Sequence, residues 1–292
     1  MKSQIRQIQF VAPASVVWAQ NSGFFNKVSL SVLESHTKSS SEIGSGLARG
    51  EWDIGICVMD NVIGWNDLYD SDLIMLAQVE RITELSFVGA AGVHTLEGAM
   101  AKPISVDATT NGFVLVLYRA LAKIGVDWRT CEFLEVGGVK QRFDSLLAGQ
   151  THSTILVPPF DLMAIEKGYN VLWQGSEVAP HYPGQVVVAR RRWATENREI
   201  VVKYLQALLA ATRWALLLEN RESAKQVLLS AGYSEAEAMR KFQLASPELE
   251  VLSQGWEEVV NLRKESGLLP QPKPNLKDVS DQSFRIEALK LV

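Results

Sequence analysis

Three short polar clusters in this 292-residue chain carry side chains that could hold an anion or move a proton, and each borders an apolar run. Ser39-Ser40-Ser41 precedes the helical stretch Ile43 to Arg49, which Gly50 closes. Hydroxyls and free N–H groups at a helix start form an anion site, and the same residues also serve as plain caps. Both roles are open to Ser39 and Ser40. Asp107, Thr109, Thr110 and Asn111 precede the apolar stretch Gly112 to Ile124, where N–H groups and the helix dipole favour a carboxylate or sulfonate. Asp60 and Asn61 follow the apolar run Ile54 to Val58, placed either to meet a ligand or, for Asp60, to cap the next helix.

Nucleophiles are few. Cys57 lies inside that apolar run, and either Cys57 or Asp60 could pair with His36 or His181 as a thiol–base or carboxylate–base arrangement. A free cysteine in such a run is more often inert core. The chain has two cysteines, Cys57 and Cys131, without CxxC spacing or a histidine companion, so zinc and thioredoxin-like chemistry are not expected. They fall in different predicted halves, which argues against a disulfide. No metal cluster or phosphate-binding glycine loop is legible, so no cofactor is expected.

Strand and helix patterns alternate along most of the chain. Ile5 to Val11, Val28 to Glu34, Ile54 to Val58 and Leu73 to Gln78 read as strands, with helices from Ser15 to Phe25, Ile43 to Arg49 and Asn61 to Leu68 between them. A second series follows. Ile104 to Val106, Glu132 to Val136, Thr154 to Val157 and Val171 to Trp173 are strands, and Gly112 to Ile124, Lys140 to Ala148 and Phe160 to Lys167 are helices. Glycines at 149 and 168 supply stop signals. The halves span about 1–90 and 91–185. After the strand Val186 to Ala189 the chain reads as helical to about Glu265, with Tyr204, Leu205, Leu208, Leu209 and Thr212 on one buried face. This is an α/β chain of mostly parallel sheets with a helical C-terminal region. A tail from Asp278 to Val292 is expected to pack back.

Composition narrows the partners. Hydrophobic residues at 47% and charged residues at 21% are ordinary for a globular protein. A net charge of -4 argues against nucleic acid, which demands a surplus of basic side chains. The run Arg190-Arg191-Arg192 reads as a solvated strand end. No apolar run reaches the roughly 20 residues of a membrane span. Met1 to Gln9 shows no apolar h-region or cleavage site, so the chain as written is expected to be cytoplasmic, and periplasmic if it is a trimmed mature form.

Several phrases carry a resemblance: AQNSGFF at 19–25, LARGEWDIGI at 47–56, VDATTNGFVLVLYRALAKIGVD at 106–127, VGGVKQRFDSLLAGQTHSTILVPPFDLMAIEKGYNVL at 136–172 and VVVARRRWATEN at 186–197. In this order and spacing the chain resembles the solute-binding proteins of ABC importers with the type II periplasmic-binding-protein fold. Within them it is most similar to the sulfonate, nitrate and taurine binders and the NMT1/THI5-like group. The resemblance implies two lobes, 1–88 plus 187–292 and 89–186, hinged near Ser86–Ala90 and Tyr182–Val188. They would close on a small organic anion at the carboxyl ends of the strands.

The resemblance also implies which residues meet the ligand. Ser15 and Trp18 would offer a hydroxyl and an aromatic wall, unless Trp18 is core. Ser39, Ser40, Asp60, Asn61, Thr109, Thr110 and Asn111 would face the cleft. Gly138 would let the backbone approach closely, and Arg142 would be its buried cation or else a surface residue. Pro159 and Phe160 would end a strand at the cleft, and Tyr182 would reach in beside the hinge. Thr110 and Asn111 stand where many relatives have small Ser and Gly residues. An exported form would meet an ABC permease, as monomer or homodimer. Cytosolic enzymes share the fold, so a decarboxylase, desulfinase or similar activity on a small acid is the alternative, with Cys57, Asp60 and His181 as its weak catalytic candidates.

Overall fold

The computed structural model describes residues 2–110 and 112–292, so Asn111 and its expected ligand contact lie outside the described residues. Ten strands form in chain order. They are β1 (Ser3–Gln9), β2 (Leu30–His36), β3 (Ile54–Val58), β4 (Leu73–Gln78), β5 (Ser86–Gly89), β6 (Ile104–Val106), β7 (Phe133–Glu135), β8 (Ser153–Leu156), β9 (Asn170–Gln174) and β10 (Gln185–Arg190). They build two five-stranded sheets, ordered β2-β1-β3-β10-β4 and β7-β6-β8-β5-β9. β1 runs parallel to β2 and β3, and β6 runs parallel to β7 and β8. Each sheet carries one antiparallel insertion, β10 between β3 and β4 and β5 between β8 and β9. This is the two-sheet α/β architecture that the sequence resemblance implies.

Apolar pattern explains the placement. β3 and β4 are almost wholly apolar and sit inside the first sheet or on its covered edge, with Ile54, Leu73, Ile74 and Met75 at zero exposure. Strands buried on both faces need such runs. The helix Arg198–Leu216 lays Val201, Leu205, Leu208 and Leu209 on one face of this sheet, beside the helix Ala14–Asn21. The opposite face shares a continuous core with the second sheet, through the helices Met59–Tyr69, Val114–Lys123 and Ser253–Ser266. The tail packs back, as the helix Ser283–Leu289 lies along Arg198–Leu216.

The expected helix Ser15 to Phe25 is broken: Gly23 turns left-handed at φ +75 and a short helix, Phe24–Lys27, follows. The first hinge segment also moves. Ser86–Gly89 is no crossing but β5, paired on both sides and buried throughout, with Phe87 and Val88 at zero exposure. The chain passes between sheets earlier, over residues 79–85, and returns over 175–184.

These two crossings touch. A methyl group on Gly184 would lie 2.5 Å from the carbonyl oxygen of Glu80 and 2.7 Å from its carbon. Backbone atoms cannot yield as a side-chain tip does. Gly184→Ala should therefore destabilise the protein by about 1–3 kcal/mol, the usual cost of overpacking. Urea unfolding measures it, and an unchanged midpoint would show that the crossings are free to part.

Candidate functional site

A cavity of about 610 Å³ lies between the two sheets. Its walls come from the residues just after β1, β2 and β3 on one side and after β6 and β8 on the other. These are the carboxyl ends of parallel strands, where α/β sheets leave side chains and backbone free to meet a guest. Phe10, Phe113 and Phe160 supply rings, and Ile56, Val106, Val114, Ile155 and Val157 supply aliphatic surface. The third wall is the crossing Glu80–Glu84 with Gln185 and the helix Glu235–Leu244.

Among the cations that line this cavity, Arg142 is the buried one. It lies on the helix Val139–Leu147, whose start is set by Gly138, and it is 2% exposed. Nε donates to the carbonyl of Ile155 at 3.1 Å and Nη1 to that of Gly137 at 3.1 Å. Nη2 is buried and has no hydrogen-bond partner. Burial pushes the guanidinium down to about 10, against the pull of Asp107, so it stays charged at neutral pH. The ring of Phe113 stands 5.9 Å from its Cζ. Asp107 lines the same cavity; burial raises its carboxyl, while Arg142 and a hydrogen bond from Ser40 pull it down.

The glycines make the mouth narrow. Gly138 N–H donates across the cleft to the carbonyl of Lys38 at 3.2 Å. A methyl on Gly137, at φ +99, would stand 3.2 Å from that same oxygen, and one on Gly138 would stand 3.1 Å from the ring of Phe10. At the crossing wall the ions are paired. Lys241 meets Glu80 at 2.8 Å, Arg240 meets Glu84 at 2.7 Å, and Gln185 donates to Glu80 at 3.2 Å.

Of the described residues named from sequence, His36, Cys57, Asn61, Asp107, Gly138, Arg142, Pro159 and Phe160 line the cavity. The other described candidates do not. Trp18 is fully buried in the first core, its Nε1 donates to the carbonyl of Ala224 at 3.0 Å, and its ring packs on Phe242. Ser15 is buried on the same helix. Ser39 occupies the N-cap position without a side-chain capping bond, and Ser40 is buried against Asp107. His181 is exposed and pairs with Gln254 at 2.7 Å. Tyr182 lies behind the wall, edge-on to Phe113, with a buried hydroxyl that lacks a partner.

Donors on either side of the expected anion site are taken by the protein's own carboxylates. Thr109 gives both its N–H and its hydroxyl to Glu135 at 2.8 Å, and Gly112 N–H donates to Asp60 at 2.6 Å. Thr110 is exposed and lines nothing. Asp60 is at zero exposure and is held by Arg263, Nε to Oδ1 at 2.5 Å and Nη2 to Oδ2 at 3.0 Å. It is a buried ion held by Arg263 and does not line the cavity. Cys57 is equally unsuited to attack, because burial and then Asp60 raise its thiol far above the ordinary range. Both cysteines are free. Sequence reading passed over Phe10, Arg263 and the Glu80–Lys241 pair. Arg263 is 203 positions from Asp60 and has no local signal.

The family model described as the NMT1-like family matches residues 4–229, more than three quarters of the chain. The chain belongs to the NMT1-like family. Solved structures share the fold of this NMT1-like protein over nearly its whole length. The nitrate-binding protein NrtA from Synechocystis PCC 6803 is 14% identical, covering 100% of this chain and 89% of its own, with a TM-score of 0.81. The alkanesulfonate-binding protein SsuA from Xanthomonas axonopodis pv. citri, bound to MOPS, is 18% identical, covering 96% and 98%, at 0.75. A protein from Bordetella bronchiseptica RB50 is 15% identical, covering 99% and 98%, at 0.81. A comparison with curated proteins gave no match. Among the described residues, no group of three or more His, Cys, Asp or Glu could hold a metal, and no single helix is long and apolar enough to cross a membrane.

Proposed function

We propose that this NMT1-like protein binds a small organic acid between its sheets, as the ligand-binding component of an ABC-type importer. The observation that carries the reading is Arg142, a buried guanidinium in the cavity wall with a donor left unpaired. A buried donor without an acceptor is costly, and an acid oxygen removes that cost with a charge-assisted bond. The aromatic and aliphatic walls would take the body of the ligand. The sulfonate and nitrate binders of the same fold support this reading. Catalysis finds no support in the cavity: the thiol is protonated and Asp60 is locked.

The lobes would be the two sheets with their helices, parting at the crossings and closing over the guest. Cross-cleft bonds such as that from Gly138 N–H to the carbonyl of Lys38 would hold the closed form. Titration with a panel of small carboxylates and sulfonates should give one-to-one heat with the ligand recovered unchanged. The radius of gyration by small-angle scattering should fall on binding. Silence across the panel, or consumption of the added acid, would reject the reading.

A further inference from the structure

Two opposite charges share one wall of the cavity, and their sum restricts what can be held there. Arg142 offers Nη2, buried and unpaired. Asp107, directly after β6, lines the same space, and Arg142 is close enough to pull its carboxyl down. The wall is therefore close to neutral when both are ionised. A simple monoanion on Arg142 would leave two negative groups beside one positive group in a cavity lined mostly by apolar side chains, where like charges repel more strongly than in bulk water. A head group with its own cationic donor removes this conflict.

We propose that the ligand is an amphoteric small acid, its carboxylate or sulfonate on Arg142 and an amino group on Asp107. Asp107 is then the residue that sets specificity. This deepens the acid-binding reading of the same cavity and rests on it.

The surrounding charges do not alter the balance. Glu135, held by Thr109, adds negative charge near Asp107 and raises its carboxyl. Lys38, Lys140 and His36 line the cavity at exposed positions, where solvent and salt screen them. Glu80 and Glu84 are paired with Lys241 and Arg240 on the crossing wall. Glu237, also on that wall, accepts from Ser234. An acid without an amino group can be held once Asp107 takes a proton, and burial already raises that carboxyl. Such binding strengthens as pH falls, because the bound anion favours the protonated carboxyl.

Calorimetry on the full chain with matched pairs tests this: phenylacetate against phenylglycine, ethanesulfonate against aminoethanesulfonate, and butyrate against its α-, β- and γ-amino derivatives. At neutral pH an amino member should bind at least about tenfold tighter than its plain partner, and Asp107→Asn should close that gap. Titrations of the unaltered chain in two buffers of different ionisation enthalpy should show proton uptake with the plain acid and none with its amino partner. This second measurement stands even if the variant misfolds. Equal affinities without proton uptake, or a gap that survives Asp107→Asn, overturn the amphoteric proposal. The acid-binding reading then still stands if Arg142→Met abolishes binding of both members. Binding by no member removes the reading and the inference together.

Discussion

Arg263→Ala should lower stability by about 3–5 kcal/mol, the cost of stranding a buried charge. Asp60 lies at zero exposure, and two nitrogens of Arg263 hold its two oxygens. Arg263 is itself only 3% exposed, and its Nη1 donates to the carbonyl of Leu268 at 3.0 Å. Removing the guanidinium leaves a carboxylate without a counterion, so it must drag in water or take up a proton. The loss spreads, because the second oxygen of Asp60 also holds Gly112 and so joins the first sheet's side to the loop that opens the helix Val114–Lys123. The double variant Asp60→Asn/Arg263→Met removes both charges and should recover a large part of the loss, since replacing a buried pair with neutral groups is far milder than halving it. Guanidinium unfolding measures both. A single variant within about 1 kcal/mol of the parent would show that the pair is solvated and that Asp60 is free for another task.

Arg142→Met should weaken binding of any acid that the cavity accepts by about 2–5 kcal/mol, at least thirtyfold in Kd. Methionine fills a similar volume and offers no donor. Nη2 is the part of the guanidinium that the fold leaves unused, whereas Nε and Nη1 are committed to Ile155 and Gly137. Arg142→Lys keeps the charge but not the planar fork, and should fall between parent and methionine. Thermal melts of the free variants run alongside, because Ile155 and Gly137 lose a donor in Arg142→Met. Parent-like affinity in a folded Arg142→Met chain would place the acid elsewhere.

Much of the fold is legible from local pattern. Ile54–Val58, Leu73–Gln78 and Ile104–Val106 emerge with the bounds their apolar runs suggest. β5 is not, because Ser86–Gly89 is too short to show a period and owes its strand character to β8 and β9 on either side. The site divides in the same way. Gly138, Arg142, Pro159 and Phe160 line the cavity because they follow directly on strand ends and helix starts, which pattern locates. Trp18 and Asp60 have neighbours that suggest a cleft and packing that denies it.

What the sequence determines by itself is therefore local: the order of strands and helices, their stops, and which short turns carry polar groups. Tertiary structure decides which of those groups remain free. Glu135 and Asp60 consume the N–H groups of Thr109 and Gly112 beside that helix start, and Arg263 reaches Asp60 from 203 positions away. Arg142 keeps an unspent donor, although its helix predicts nothing of the kind. The physical reason is that hydrogen-bond capacity is a sum over all neighbours in space. A chain pattern reveals only those nearby along the backbone.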